Sequence, residues 1–425
     1  MKSVILSRAN PDLERIYTFD VPSSKSILNR ALLFAALTQG DTLIKCGTYG
    51  EDTQAVLNCL AALGIQTERQ QEGILVRGCG KNIPNKCAKL NVMSAGTCAR
   101  FLPAILASIG GDYFFDCSEQ MKKRPMEYLA QLKKAGVSIE FLGEENRFPF
   151  RLRSQGFKQR EFAVDTDVST QYASALLLAG AFSDAPVEIT LSGSRTQGSY
   201  IQMTLALLDA FGARYQREHD RLRVFPASGT IKEFEAEADV SAACYFYALA
   251  LLFGIKVLVR RVKKNSLQGD IQFLELLEKR GVKLTQTKEG LLADGSAVTS
   301  FCGFEENLKD YSDQTLTIAA LAPFAATPSC LTGIGHIRRQ ECDRIAAIQE
   351  NLKKLQVPCR TGEDFIAIEP ATPRGGLIKT FHDHRVAMAF ALIALKTGTV
   401  QIDDAACCSK TFQNYFEELY HLYQE

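Results

Sequence analysis

No stretch of this 425-residue chain is both apolar and long enough to cross a bilayer. The longest uncharged apolar run, Tyr245 to Ile255, is well short of the ~20 residues required. The chain also lacks a charge excess. Its 49 Lys and Arg face 48 Asp and Glu, a formal net charge of +1. A dedicated nucleic-acid binder normally carries a basic surplus, so that class is set aside. None of the thirteen cysteines forms a C-x-x-C pair, and the spacing matches neither a zinc ribbon nor a disulfide framework. They are expected to be small, mostly buried residues of a reducing compartment. The first residues hold one short apolar stretch, Val4-Ile5-Leu6, and no signal-peptide core or transit pattern. A cytoplasmic protein without membrane or nucleic-acid partners is expected. No linker rich in Pro, Gly or Ser interrupts the chain.

What is present is ordinary globular material. Hydrophobic residues make up 46% and charged residues 23%. The length suggests about three domains, with two large ones equally admissible.

One local pattern returns along the chain. An apolar helical segment ends in Gly and is followed by a β-rich stretch. It appears as Leu60…Leu63-Gly64-Ile65, Leu132…Gly136-Val137, Leu207-Leu208…Phe211-Gly212 and Leu277…Gly281-Val282. A fifth copy, Leu352…Leu355-Gln356-Val357, has Gln for Gly, and Phe412…Leu419-Tyr420 reads as a sixth, cut short. Glycine there is a helix C-cap that accepts positive φ. The pattern predicts six α+β units, not a Rossmann sheet, with a boundary near Asp239 that leaves three units on either side.

Many helices are expected to open on small polar clusters: Ser23-Ser24-Lys25-Ser26, Ser94-Ala95-Gly96-Thr97, Asp167-Val168-Ser169-Thr170 and Asp239-Val240-Ser241. Such residues cap free N–H groups, and helix N-termini also attract anions. Lys25 in a first turn opposes the helix dipole, which favours a ligand role. The segment lacks the glycines of a Walker A loop. Pro125 is expected to start a helix with Arg124 just outside it. Glu341 and Arg344 are spaced to share a helix face, and Asp313 is placed to cap the apolar segment after it. His382 and His384 have the spacing of a metal pair, but no third ligand stands out.

In this order and at these separations the segments resemble the 5-enolpyruvylshikimate-3-phosphate synthase family. The matching pieces are Ser24-Lys25-Ser26 with Asn29-Arg30, Ala95-Gly96-Thr97 with Arg100, and Lys123-Arg124-Pro125. They continue through Ser169 with Gln171, Asn265-Ser266-Leu267-Gln268-Gly269-Asp270, Glu341 with Asp343-Arg344, Asp383-His384-Arg385, and Ser409-Lys410-Thr411-Phe412. The resemblance runs from about Val21 to Phe416.

It implies a two-domain inverted α/β barrel with three βαβαββ units per domain. One domain would span 21–238, and the other 1–20 with 239–425, with the active site in a cleft that closes on ligands. The implied reaction moves the enolpyruvyl group of phosphoenolpyruvate to the 5-hydroxyl of shikimate 3-phosphate and releases phosphate. It runs by addition and elimination through a tetrahedral intermediate and needs no metal or organic cofactor. A monomer is expected.

By the same resemblance, Lys25, Gly96, Arg124, Gln171, Arg344, Arg385 and Lys410 hold phosphoenolpyruvate. Planar guanidinium groups suit its carboxylate and phosphate. Lys25, Ser26, Arg30, Ser169, Thr170, Gln171, Tyr200, Asp313, His336 and Gln340 hold shikimate 3-phosphate. Two proton carriers are needed on different atoms. Asp313 is expected near the 5-hydroxyl and Glu341 near the methylene carbon, with Lys25 as a third carrier.

The chain departs from the family at several acceptor positions. Thr170 stands for a second Ser, and Ser94 for Asn. Gln197 stands where a Ser precedes Lys-Pro-Tyr, with Ser194 and Ser199 as substitutes. His336 and Gln340 stand for Asn and Lys, with Arg339 adjacent. A donor half intact beside an altered acceptor half leaves a second reading, a related transferase with another acceptor. The UDP-N-acetylglucosamine enolpyruvyl transferase is disfavoured, because Cys117 lies in a segment that matches the synthase. A catalytically silent binding protein would lack the proton carriers that Asp313, Glu341 and Lys25 supply.

Overall fold

The computed structural model describes residues 3–227 and 229–423. The chain divides into two compact units. One holds Met1–Pro22 with Glu237–Glu425, and the other Ser23–Ala236. Among the described residues each holds three small sheets.

In the 23–236 unit, the repeat is plainest in the segment that begins with Cys87–Asn91. This strand pairs in parallel with Gly111–Asp116, across the helix Gly96–Ile109. The strand Phe150–Ser154 then adds antiparallel to Gly111–Asp116, and Ser138–Phe141 pairs outside it. The same order recurs in the segment 161–224. The remaining sheet takes its first strand from the far end of the unit, since Glu233–Glu235 lies parallel to Gln39–Lys45.

The other unit repeats this device. Ile16–Phe19 pairs in parallel with Lys256–Arg260 and supplies the strand that its first repeat would otherwise lack. The last repeat contains Gly376–Ile378, the helix His384–Thr397, Val400–Ile402 and the short helix Tyr415–Leu419. Its antiparallel strand comes from the start of the chain, where Val4–Ile5 pairs with Gln401–Ile402. The sixth copy that the sequence shows as cut short is thus finished by the N-terminal segment.

Five helix ends share one geometry. Gly64, Gly136, Gly212 and Gly281 have φ of +79°, +89°, +70° and +93°, and Gln356 has +59°. At each, the following N–H reaches back across the last turn, as Ile65 does to the Leu60 carbonyl and Val357 to that of Leu352, both at 2.9 Å. This is the Schellman closure. Gln356 adopts the left-handed conformation despite its Cβ.

Within each repeat the first helix is buried nearly all round. Gly96–Ile109, Thr170–Phe182, Val240–Phe253 and His384–Thr397 show almost no exposed residue, in keeping with their largely apolar sequences. The apolar run at Tyr245 lies in such a core helix. Among the described residues no helix is long and apolar enough to cross a membrane. The buried helices begin at Lys25, Gly96, Thr170, Val240, Thr315 and His384; Lys25, Gly96, Thr170, Asp313 and Arg385 lie at or near those starts, whereas Arg344 opens Arg344–Lys354 and Tyr200 lies in Ser199–Ala210.

Candidate active site

In the 23–236 unit, Lys25 opens the helix Lys25–Ala36, and its ammonium pairs with Asp52 at 2.9 Å. Asp52 opens no ligand reading from sequence, because an acid in a helix first turn reads as dipole compensation. Ser24 precedes the helix without a side-chain cap bond. One turn on, Arg30 is fully buried. Its Nε donates to Thr204 Oγ1 at 2.9 Å, one Nη to the Ser26 carbonyl at 2.7 Å and the other to Ser174 Oγ at 3.2 Å. Its guanidinium lies 4.8 Å from the Phe101 ring centre and 5.9 Å from that of Tyr200. Burial pulls the Arg30 pKa down to about 10, partly opposed by Tyr200. Arg30, Ser26 and Tyr200 therefore share one cluster.

Gly96 and Arg124 form a second pair. A Cβ on Gly96 would stand 3.2 Å from an Arg124 Nη. The absent side chain lets the guanidinium lie against the start of the helix Gly96–Ile109. Arg124 does not precede a helix directly. It sits in the bend between Glu119–Lys122 and Leu129–Lys134, its N–H bonded to the Met121 carbonyl at 2.9 Å. Pro125 instead presents its carbonyl to Tyr172 and Arg100. A proline fixes its own φ and so allows a bend as readily as a helix start.

The third group lies at the helix Thr170–Phe182. Ser169 caps it by accepting the Gln171 N–H at 3.3 Å. The loop that departs from the family folds against this helix start. Ser194 Oγ donates to Asp167 Oδ1 at 2.8 Å, and Arg195 donates to the carbonyls of Thr166 and Asp167. Gln197 accepts from the Gln202 amide at 3.0 Å. Ser194 is thus engaged with Asp167. Burial, then Asp116, push the Cys117 pKa up to about 12, which disfavours its thiolate.

The other unit holds a denser ionic network centred on Arg344, which is almost fully buried. Its Nε donates to Asp383 at 2.8 Å, one Nη to Asp313 at 2.8 Å and to the Gln340 amide oxygen, and the other to Glu341 at 3.0 Å. Arg385 donates to the second Asp313 oxygen at 2.8 Å, and Lys410 lies 3.7 Å from Glu341. Three cations and three carboxylates thus alternate through this network. Burial works against the Arg344 charge. Asp383, Glu341 and Asp313 outweigh it and hold the guanidinium above its ordinary pKa, with Arg385 opposing them.

Two placements in this unit differ from the sequence expectation. Asp313 caps no helix. It lies in the 3-10 turn Ser312–Gln314 before Thr315–Leu321 and spends both oxygens on guanidinium groups. Glu341 and Arg344 do not share a helix, because Arg344–Lys354 begins at Arg344 and Asp343 is its cap. Their ion pair forms across the helix entrance. His336 bonds through Nε2 to Ser312 Oγ at 2.8 Å, beside Asp313. Asp383, quoted in sequence only as part of a segment, caps His384–Thr397 by accepting the Arg385 N–H and also binds Arg344.

The family model described as EPSP synthase (3-phosphoshikimate 1-carboxyvinyltransferase) matches residues 17–419. A protein of Halalkalibacterium halodurans named 3-phosphoshikimate 1-carboxyvinyltransferase 2 is 36% identical, over 99% of this chain and 95% of its own length. One of Nostoc punctiforme, named 3-phosphoshikimate 1-carboxyvinyltransferase, is 35% identical, over 96% of each chain. A solved structure of EPSP synthase from Acinetobacter baumannii superposes with a TM-score of 0.80 at 24% identity, over 99% of this chain and 97% of that one. A second from that organism gives 0.75. The fold is thus the two-domain inverted α/β barrel, and the chain belongs to the EPSP synthase family.

Proposed function

We propose that the chain transfers the enolpyruvyl group of phosphoenolpyruvate to the 5-hydroxyl of shikimate 3-phosphate and releases phosphate. The observation that carries this reading is the network of Arg344, Arg385 and Lys410 threaded by Asp313 and Glu341. It combines fixed cations, which an anionic donor needs, with two separate carboxylates, which two proton transfers need. The relatives' name states the same activity, and against it the reading with a different acceptor has only the altered acceptor positions, His336 and Gln340 among them.

In this mechanism Arg344 and Arg385 orient the donor carboxylate and phosphate with Lys410, and Arg124 over Gly96 and Lys25 beside Asp52 are further donor-binding groups. Asp313 accepts the proton of the 5-hydroxyl as oxygen attacks the donor's central carbon. Glu341 passes a proton to the methylene carbon, which becomes a methyl group in the tetrahedral intermediate. Elimination reverses that transfer, expels phosphate and leaves the vinyl ether. Lys25 serves as a further proton carrier. Ser26, Arg30, Ser169, Thr170, Gln171 and Tyr200 hold the acceptor, with His336 and Gln340. The Gln340 amide oxygen accepts from Arg344, so its NH2 is the group that would donate to an acceptor oxygen. The protein acts as a cytoplasmic monomer.

The test is phosphate release by the purified protein with phosphoenolpyruvate and shikimate 3-phosphate, each omitted in turn. Release that requires both is expected. Donor binding without release would instead point to another acceptor.

A further inference from the structure

The loop before Tyr200 carries an arginine, Arg195, that the mechanism above does not use. Its residue is only 8% exposed, and a buried guanidinium needs its donors satisfied. One Nη donates to two backbone carbonyls, Thr166 at 2.5 Å and Asp167 at 3.0 Å. The Asp167 carboxylate stands 4.0 Å from Nε, at the outer limit of an ion pair. The Arg195 N–H donates to Thr166 Oγ1 at 3.1 Å, and that hydroxyl donates to the Ser192 carbonyl at 2.7 Å. Thr166 is thus gripped by both the backbone and the side chain of Arg195.

These bonds join two helix entrances. Thr166 and Asp167 follow the strand Glu161–Asp165 and lead into Thr170–Phe182, where Ser169 is the cap. Arg195 leads into Ser199–Ala210, and its carbonyl accepts the Gly198 N–H at 2.9 Å. Gly198 lies between the two entrances. A Cβ there would stand 3.0 Å from the Arg195 carbonyl oxygen and 3.5 Å from Thr170 Cγ2. The second helix carries Tyr200, whose carbonyl accepts from Ser174 of the first at 3.2 Å. The loop has two further ties. Ser194 Oγ donates to Asp167 at 2.8 Å, and an Arg217 Nη donates to the Thr196 carbonyl at 2.8 Å.

We propose that Arg195 is a positioning residue for the acceptor: seated on the Thr166 and Asp167 carbonyls, it fixes the helix entrance that presents Ser169 and Thr170 against the one that presents Tyr200. This rests on the reading of those three residues as acceptor-binding groups. A cation suits the task, because charge-assisted hydrogen bonds are about twice as strong as neutral ones. Without it the two entrances lose their fixed separation, and the acceptor meets its ligands less often in register. The donor is affected less. Lys25, Gly96 and Arg124 belong to the other two repeats of this unit, and among the proposed donor groups named from it only Gln171 lies on Thr170–Phe182.

The test is steady-state kinetics of the full-length protein, with each substrate varied in turn, for wild type, Arg195→Gln, Arg195→Lys and Ser194→Ala. Arg195→Gln should raise KM for shikimate 3-phosphate about tenfold, with kcat and KM for phosphoenolpyruvate within about threefold of wild type. Both carbonyl bonds come from a single nitrogen, so a lysine ammonium can take its place one bond short. Arg195→Lys should therefore bring the acceptor KM back to about threefold above wild type. Ser194→Ala breaks an exposed tie of the same junction and should raise that KM about twofold, a check that holds even if the glutamine variant fails to fold. An unchanged acceptor KM in Arg195→Gln would overturn the proposal. So would a common factor in kcat and both KM values, or a lysine variant as impaired as the glutamine one. Those results would leave the proposed reaction standing. No phosphate release by wild type with both substrates would overturn both.

Discussion

The two units differ in how several of their helices start. In the 1–22 and 237–425 unit, Asp239, Asp343 and Asp383 cap Val240–Phe253, Arg344–Lys354 and His384–Thr397, each accepting a backbone N–H at about 3 Å. In the 23–236 unit, Lys25–Ala36, Gly96–Ile109 and Ser199–Ala210 follow Ser24, Ala95 and Gly198, none of which forms a side-chain cap bond. One unit brings its own anions to these positions and interleaves them with arginines. The other sets cations and hydroxyls there without a capping carboxylate. The first arrangement suits proton transfer beside a held anion, because carboxylate and guanidinium alternate in fixed geometry. The second suits a phosphorylated acceptor, since the dipole ends of those helices carry no carboxylate cap.

The sharpest way to break this contrast is at Asp313. Asp313→Asn keeps the shape but removes the proposed proton acceptor, and turnover should fall by about 10²–10⁴-fold with the fold intact. Near-normal steady-state turnover would remove Asp313 from the mechanism.

Arg344→Met should be almost as damaging to activity and far more so to stability. It leaves Asp313, Glu341 and Asp383 without their shared, almost fully buried partner, at a cost of about 3–5 kcal/mol. Urea denaturation would register that loss. If the loss stayed below about 1 kcal/mol, the network would not be the organising feature described here. In the other unit the corresponding change should affect binding alone. Arg124→Lys keeps the charge over Gly96 and loses the planar fork, so phosphoenolpyruvate affinity should drop by about tenfold with unchanged stability. Calorimetry showing wild-type affinity would take Arg124 out of the donor clamp.

The smallest change sharpens the repeat. Gln356 alone among the five helix ends lacks glycine, and its φ of +59° costs a side chain about 1 kcal/mol. Gln356→Gly should therefore raise stability by up to about that amount, less the added chain entropy of glycine. A thermal midpoint below wild type would mean that the Gln356 side chain contributes more than its backbone strain costs.

The repeat was legible because helix endings are local. A glycine after an apolar turn signals positive φ wherever it occurs, and Gln356 could be assigned by its register with the other four. The strand exchange needed the fold itself. Nothing in Val4-Ile5 or Glu233–Glu235 names the distant strand that each joins. Charge partners behaved likewise. Asp313 looked like a cap because Asp before an apolar segment usually is one, and the two guanidinium groups that claim it come from residues 31 and 72 positions away. Asp52 and Asp383 were passed over for the same reason, since each occupies a helix start where an acid already has a local explanation. Arg30 was legible as a cation. Its immersion among Ser174, Thr204 and Phe101 depends on how helices of all three repeats in that unit pack.

The central claim is that separate carboxylates serve separate atoms, with Glu341 handling the donor's methylene carbon. It is tested most directly by running the reaction part-way in deuterium oxide and recovering unreacted phosphoenolpyruvate for proton NMR. Addition makes a methyl group with one solvent-derived hydrogen, and reversal returns deuterium to the donor. Deuterium is expected at that carbon only when shikimate 3-phosphate is present, and almost none with Glu341→Gln. Deuterium that appears without the acceptor, or at the wild-type rate in Glu341→Gln, would contradict it.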